Sequence, residues 1–132
     1  MKKLESVLLV DDDEITNFIN EQLIKDLSVA EEILVATNGK EGIDAVEKRC
    51  QDKKSCPELI LLDINMPVMN GFEFLEKYQQ MYLPHRPKSV VVMLTSSENS
   101  KDIEKSKQTT IADYMTKPLT EKKISSILEK YF

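Results

Sequence analysis

The sequence predicts an α/β fold, a parallel sheet covered by helices on both faces. Short β-rich runs alternate with longer helix-period segments, giving a βα unit five times over. The runs are nearly unbroken in apolar residues, as strands buried on both sides require. Acidic, hydroxyl and amine side chains follow four of the runs, and in open α/β sheets ligands bind beyond the carboxyl ends of the strands.

The first run is SVLLV (6–10), and it ends in the three carboxylates Asp11, Asp12 and Asp13. Asp13 is placed to cap the helix that follows, whose apolar stripe of Ile15, Phe18, Ile19, Leu23 and Leu27 is expected to face the core. EILVA (32–36) is the second strand, and NGKE (38–41) opens the second helix with an Asn cap and a Glu three residues on. CQDKKSC (50–56) lacks the paired spacing or neighbouring His of a zinc site, so Cys50 and Cys56 read as two reduced thiols. ELILL (58–62) precedes Asp63, and Phe72, Leu75, Tyr78 and Tyr82 support a helix after Gly71. MYLPHRPK (81–88) is a proline-bounded loop in which His85 reads as solvated. VVVML (90–94) precedes Thr95 and Ser96, and a polar helix with only Ile103 apolar is expected around 98–108. ADYM (112–115) precedes Lys117, and Thr120 caps a last helix striped by Ile124, Ile127, Leu128 and Tyr131. The third and fourth runs are more hydrophobic than the second, which places them centrally.

A chain of 132 residues, 41% hydrophobic and 31% charged, reads as one domain spanning 1–132 with little room for an output domain. Its formal net charge is −5 and no segment gathers Lys and Arg into a stripe, so neither nucleic acid nor an anionic membrane has electrostatic support. MKKLES lacks the apolar stretch of a signal peptide, and a cytoplasmic location is expected.

The strand-end residues define the chemistry. Singly, each Asp reads as a turn residue or cap, Thr95 and Ser96 as caps, and Lys117 as a solvated charge. Together, at four strand ends of one sheet, they form a pocket. Carboxylates held close repel unless a cation compensates, and carboxylate oxygens with a backbone carbonyl and water are the ligand set of Mg²⁺. Such a pocket suits phosphoryl transfer to a carboxylate, with Asp63 as nucleophile, Asp11 and Asp12 at the metal, and Lys117 and Thr95 as donors.

LLVDDD (8–13), LILLDINMPVMNGFEFL (59–75), VVMLTSS (91–97) and ADYMTKPLT (112–120) resemble, in order and spacing, the receiver domains of two-component response regulators, CheY-like proteins. The resemblance implies a doubly wound five-stranded parallel sheet of order 2-1-3-4-5. It implies that Asp63 accepts a phosphoryl group from a phosphohistidine on a sensor histidine kinase or histidine phosphotransfer protein. Asp12, Asp63 and the Asn65 carbonyl then coordinate Mg²⁺, with Asp11 acting through a metal-bound water. Thr95, the backbone N–H of Ser96 and Lys117 bind the phosphoryl group, and the Lys117–Pro118 peptide is cis. Thr95 and Tyr114 act as a switch, read by a downstream protein target on the face formed by the fourth helix, fifth strand and fifth helix. Such a domain is no enzyme beyond promoting its own phosphorylation and dephosphorylation. Ser97 and Asn65 occupy positions that tune the second reaction, while the loops 50–57 and 81–88 are longer than a minimal receiver needs.

Two other readings stand beside this one. A haloacid-dehalogenase-like phosphatase would use Asp11 as nucleophile and Asp13 as acid/base, although Ile15 departs from that motif and no acidic pair follows Lys117. A pseudo-receiver would keep the pocket but take no phosphate. Tyr114 as a plain core aromatic is the bland counterpart of the switch.

Overall fold

The computed structural model describes residues 3–52, 56–64, 66, 69–80, 90–95 and 113–132. Five strands lie parallel in the order β2-β1-β3-β4-β5: β1 (Leu4–Val10), β2 (Ala30–Ala36), β3 (Leu59–Asp63), β4 (Val90–Thr95) and β5 (Asp113–Thr116). Four helices accompany them among the described residues: α1 (Glu14–Asp26), α2 (Gly39–Asp52), α3 (Gly71–Gln80) and a C-terminal helix (Glu121–Tyr131). The expected fold is thus present, with the third and fourth apolar runs inside the sheet and the second at its edge. Tyr82, the loop 81–88 with His85, and the helix expected around 98–108 lie outside the described residues.

Strand pleating sends alternate residues to opposite faces. Leu8 and Val10 of β1, with Ile60 and Leu62 of β3, pack with Ile43 and Val46 of α2 and with Phe74, Leu75 and Tyr78 of α3. Val7 and Leu9, with Leu59 and Leu61, pack with Ile24 of α1 and with Ile124, Ile127 and Leu128 of the C-terminal helix. Both faces of the central strands are covered, which is why their sequences carry no polar alternation.

Local capping sets where each helix starts. The Asp13 carboxylate accepts the Ile15 N–H (3.0 Å) and the Thr16 hydroxyl (2.9 Å), and the Thr120 hydroxyl oxygen accepts the Lys123 N–H (3.2 Å). Asn38 accepts the Glu41 N–H (2.8 Å), while Glu41 reaches back to the N–H and hydroxyl of Thr37. At α3 the box is reciprocal: Asn70 Oδ1 accepts the Glu73 N–H and Glu73 Oε1 accepts the Asn70 N–H.

Two expectations are corrected. The α1 stripe does not face the core as a whole: Ile15, Phe18 and Ile19 are 71%, 62% and 56% exposed, and the buried residues of the helix are Asn17, Asn20 and Ile24. Only Leu23 and Leu27, in the second half, pack partly against the core. The inner face at the start of α1 meets carbonyl oxygens at the ends of β1 and β2, where an amide bonds and an aliphatic chain cannot. The second correction concerns the cysteines. Cys50 and Cys56 are joined in a disulfide, because the end of α2 and the approach to β3 bring their Cα atoms to 4.3 Å. Spacing in sequence carries no sign of that approach.

Candidate functional site

β1 and β3 are neighbours in register, Val10 opposite Leu62, so Asp11 and Asp63 leave the sheet side by side. Both are buried, whereas Asp12 is exposed. One carboxylate oxygen from each of Asp11, Asp12 and Asp63 falls within a cluster whose atoms all lie within 4.8 Å of one another. β5 delivers the cation. Lys117 Nζ donates to Asp11 Oδ2 at 2.8 Å and lies 3.2 Å from Asp63 Oδ1, so one ammonium bridges Asp63 and an Asp11 that lies 106 positions from the lysine in sequence. The Lys117–Pro118 peptide is cis.

The backbone holds this arrangement. Asp11 N–H donates to the Ala36 carbonyl (3.1 Å), Ile64 N–H to the Leu94 carbonyl (3.2 Å), and Lys117 N–H to the Thr95 carbonyl (2.7 Å). Every strand that carries a site residue is thereby tied to its neighbour at the site end. Gly71 packs the start of α3 against the acid-bearing strand: a Cβ there would come within 2.6 Å of the Asp63 carbonyl oxygen and 2.9 Å of Ile64 Cα. No side chain fits that approach.

Burial alone pulls the Lys117 amine below its ordinary value. The Asp11 hydrogen bond and the charges of Asp63 and Asp11 outweigh that effect and hold it above. The ammonium stays charged at neutral pH and offsets the repulsion of the buried carboxylates. Asp13 is held below the usual carboxyl value, first by the Thr16 hydroxyl and then by the Ile15 N–H. It is an exposed cap and stands outside the acid cluster.

The structure brings Asp11, Asp12, Asp63 and Lys117 together. Thr95 is fully buried at the end of β4, one residue beyond the Asp63–Leu94 pair, and Tyr114 lies opposite Met93 on β5, half-buried against the α2–α3 core. Asn65, Ser96 and Ser97 lie outside the described residues. One residue of this region was not among the sequence candidates: Asn17, buried at the start of α1, whose side-chain amide reaches the Asp11 carbonyl at 2.8 Å. Its signal in the sequence was an amide on a helix otherwise read by its apolar stripe.

The chain matches the family model described as the response regulator receiver domain over residues 7–129. This protein belongs to the receiver-domain family of response regulators.

A two-component response regulator from Cytophaga hutchinsonii is similar throughout, with a TM-score of 0.88, 34% identity and coverage of 98% of both chains. Two-component response regulator 24 of Arabidopsis thaliana is 30% identical over 95% of this chain and 82% of its own length. A protein-glutamate methylesterase/protein-glutamine glutaminase of Desulfotalea psychrophila is 36% identical over 89% of this chain. The matched part is only 30% of that relative, so the likeness extends to its receiver portion. Receiver domains are signalling modules that interact with histidine kinases or phosphotransfer proteins. No helix among the described residues is long and apolar enough to cross a membrane.

Proposed function

We propose that this receiver accepts a phosphoryl group on Asp63 from a phosphohistidine of a histidine kinase or histidine phosphotransfer protein. The P–N bond to imidazole breaks, a P–O bond to an Asp63 carboxylate oxygen forms, and the imidazole nitrogen takes up a proton. The observation that carries this reading is the Lys117 ammonium bridging Asp11 and Asp63 inside a three-carboxylate cluster. A lone strand-end Asp would be a turn residue. A buried Asp paired with a fixed cation beside two further acids is a charged centre with a place for more positive charge.

The donor set fits Mg²⁺, since all three groups offer hard carboxylate oxygens and their charge exceeds that of Lys117 alone. Asp12 and Asp63 would hold the ion directly, with the Asn65 carbonyl, and Asp11 through a water. When bound, Mg²⁺ neutralises phosphoryl oxygens as the transferred group passes between nucleophiles. Lys117 supplies a positive charge to the incoming phosphoryl group, joined by the Thr95 hydroxyl and the Ser96 N–H. Phosphorylation adds nearly two negative charges at the sheet edge. Thr95 and Tyr114 relay that change to the surface of β5 and the helices beside it, where a downstream protein reads it. The domain acts by protein contact in the cytoplasm, with no activity beyond its own phosphorylation and dephosphorylation.

Intact-mass measurement after incubation with acetyl phosphate and Mg²⁺ tests the reading, with EDTA controls. The expected result is a metal-dependent gain of one phosphoryl group that disappears in Asp63→Ala. No gain in folded wild type would instead indicate a pseudo-receiver. Turnover of phosphate esters that needs Asp11 and not Asp63 would indicate the phosphatase chemistry.

A further inference from the structure

We infer that Asn17 is a positioning residue for the acid pocket: its side-chain amide fixes the peptide between Asp11 and Asp12 and so aims the Asp12 carboxylate. The inference rests on the proposed metal-dependent reading of the site and adds a residue to it.

Asn17 is 4% exposed in the first turns of a helix, where Asn has poor propensity and a buried amide is costly unless bonded. Three apolar residues of the same turns, Ile15, Phe18 and Ile19, lie outside while this amide lies inside. The inner position is explained by what it bonds. Nδ2 donates to the Asp11 carbonyl at 2.8 Å and reaches the Ala36 carbonyl at 3.5 Å. The Ala36 carbonyl already accepts the Asp11 N–H, so the amide straps the ends of β1 and β2 together at the residue that enters the pocket. Both neighbours are acceptors, which leaves the NH₂ end as the useful one; Oδ1 is buried without a hydrogen-bond partner.

The two acids differ in what holds them. Asp11 is fixed through its side chain, Oδ1 by the Asp13 N–H (2.9 Å) and Oδ2 by Lys117. Asp12 is exposed, and its carboxylate has no protein partner among the described residues. What the fold fixes for Asp12 is therefore the backbone from which its carboxylate reaches into the pocket. The peptide plane joining it to Asp11 is the one that Asn17 grips. Partners that orient metal ligands typically change metal affinity by about 10- to 100-fold when removed.

The test is the Mg²⁺ dissociation constant of wild type, Asn17→Leu and, as a control on the exposed face, Phe18→Ser, measured by calorimetry on unphosphorylated protein, with melting curves in EDTA. Asn17→Leu keeps the branched outline of the side chain, with bulkier ends, and removes both donors. The expected result is Mg²⁺ affinity weakened about tenfold or more, with the Mg²⁺ concentration for half-maximal phosphorylation by acetyl phosphate rising in step. The rate at saturating Mg²⁺ should change much less, and Phe18→Ser should match wild type. A folded Asn17→Leu protein whose Mg²⁺ affinity stays within about twofold of wild type, whatever its melting temperature, overturns the assignment. If that variant does not fold, Asn17→Ala is read in the same way, and failure of both to fold makes Asn17 structural and also overturns it. Wild type that binds no Mg²⁺ would remove the metal reading itself, an outcome distinct from normal binding unaffected by the substitution.

Discussion

At the scale of single residues, the site is organised around Lys117. Its pKa is raised on folding, so its contribution is fully present below the ordinary lysine value of 10.5 and is lost only as pH rises through the higher folded value. The clamp on Asp11 and Asp63 is consequently constant across neutral pH. Lys117→Met leaves two buried carboxylates facing one another without their cation. Hydrogen bonds to charged groups contribute about 1.5–3 kcal/mol, so a loss of about 2 kcal/mol is expected in metal-free protein. Mg²⁺ should raise the melting temperature of this variant more than that of wild type, because the ion restores the missing charge. Thermal melts with and without Mg²⁺ check both statements, and equal Mg²⁺ effects in the two proteins would count against the shared role.

At the scale of elements, α1 departs from what its apolar periodicity suggests. Its first half is oriented by polar bonds: the Asp13 cap, and the Asn17 amide on two strand-end carbonyls. Its second half is held by Ile24, buried among Val7, Leu9 and Leu61 in the second core. Substitution should therefore give opposite results along one helix. Phe18→Ser is expected to change stability by less than about 0.5 kcal/mol, as for other surface sites. Ile24→Ala is expected to lose about 2–5 kcal/mol through lost burial and the cavity left behind. Urea denaturation of the two variants decides it: a large loss for Phe18→Ser would mean that the stripe does pack inward. Ile15, Phe18 and Ile19, with Val35 on the edge strand β2, are the exposed large hydrophobics among the described residues, and Phe18 and Val35 line one surface groove.

At the scale of the whole molecule, two cores lie on either side of one sheet, and the disulfide closes a short loop at the end of the sheet away from the acids. Cys50 and Cys56 are both buried in the α2–α3 core, so their thiols, once reduced, still have an apolar place to occupy. The bond's contribution then comes mainly from restricting the unfolded chain. For a loop closed across six positions this is about 2 kcal/mol. Dithiothreitol should lower the denaturation midpoint accordingly while leaving the Asp63 pocket able to take a phosphoryl group. A fully unfolded reduced protein would show that the clasp contributes much more than loop closure.

The fold class, the order of the described elements, the caps at Asp13, Asn38 and Thr120 and the identity of the strand-end residues were legible in the sequence, whereas the Asn70–Glu73 box of α3 was not read from it. All of these depend on local chemistry: uninterrupted apolar runs for strands buried on both faces, and side chains that cap the turn in which they stand. The sequence also indicated Asp11, Asp12, Asp63 and Lys117, because a parallel sheet carries every strand's carboxyl end to one edge. Which face of α1 turns inward, that Cys50 meets Cys56, and that Asn17 grips the peptide between Asp11 and Asp12 emerged from the packing of distant segments. Those three depend on distances between segments, and the period of a helix or the spacing of two cysteines is the same whichever neighbour the fold supplies.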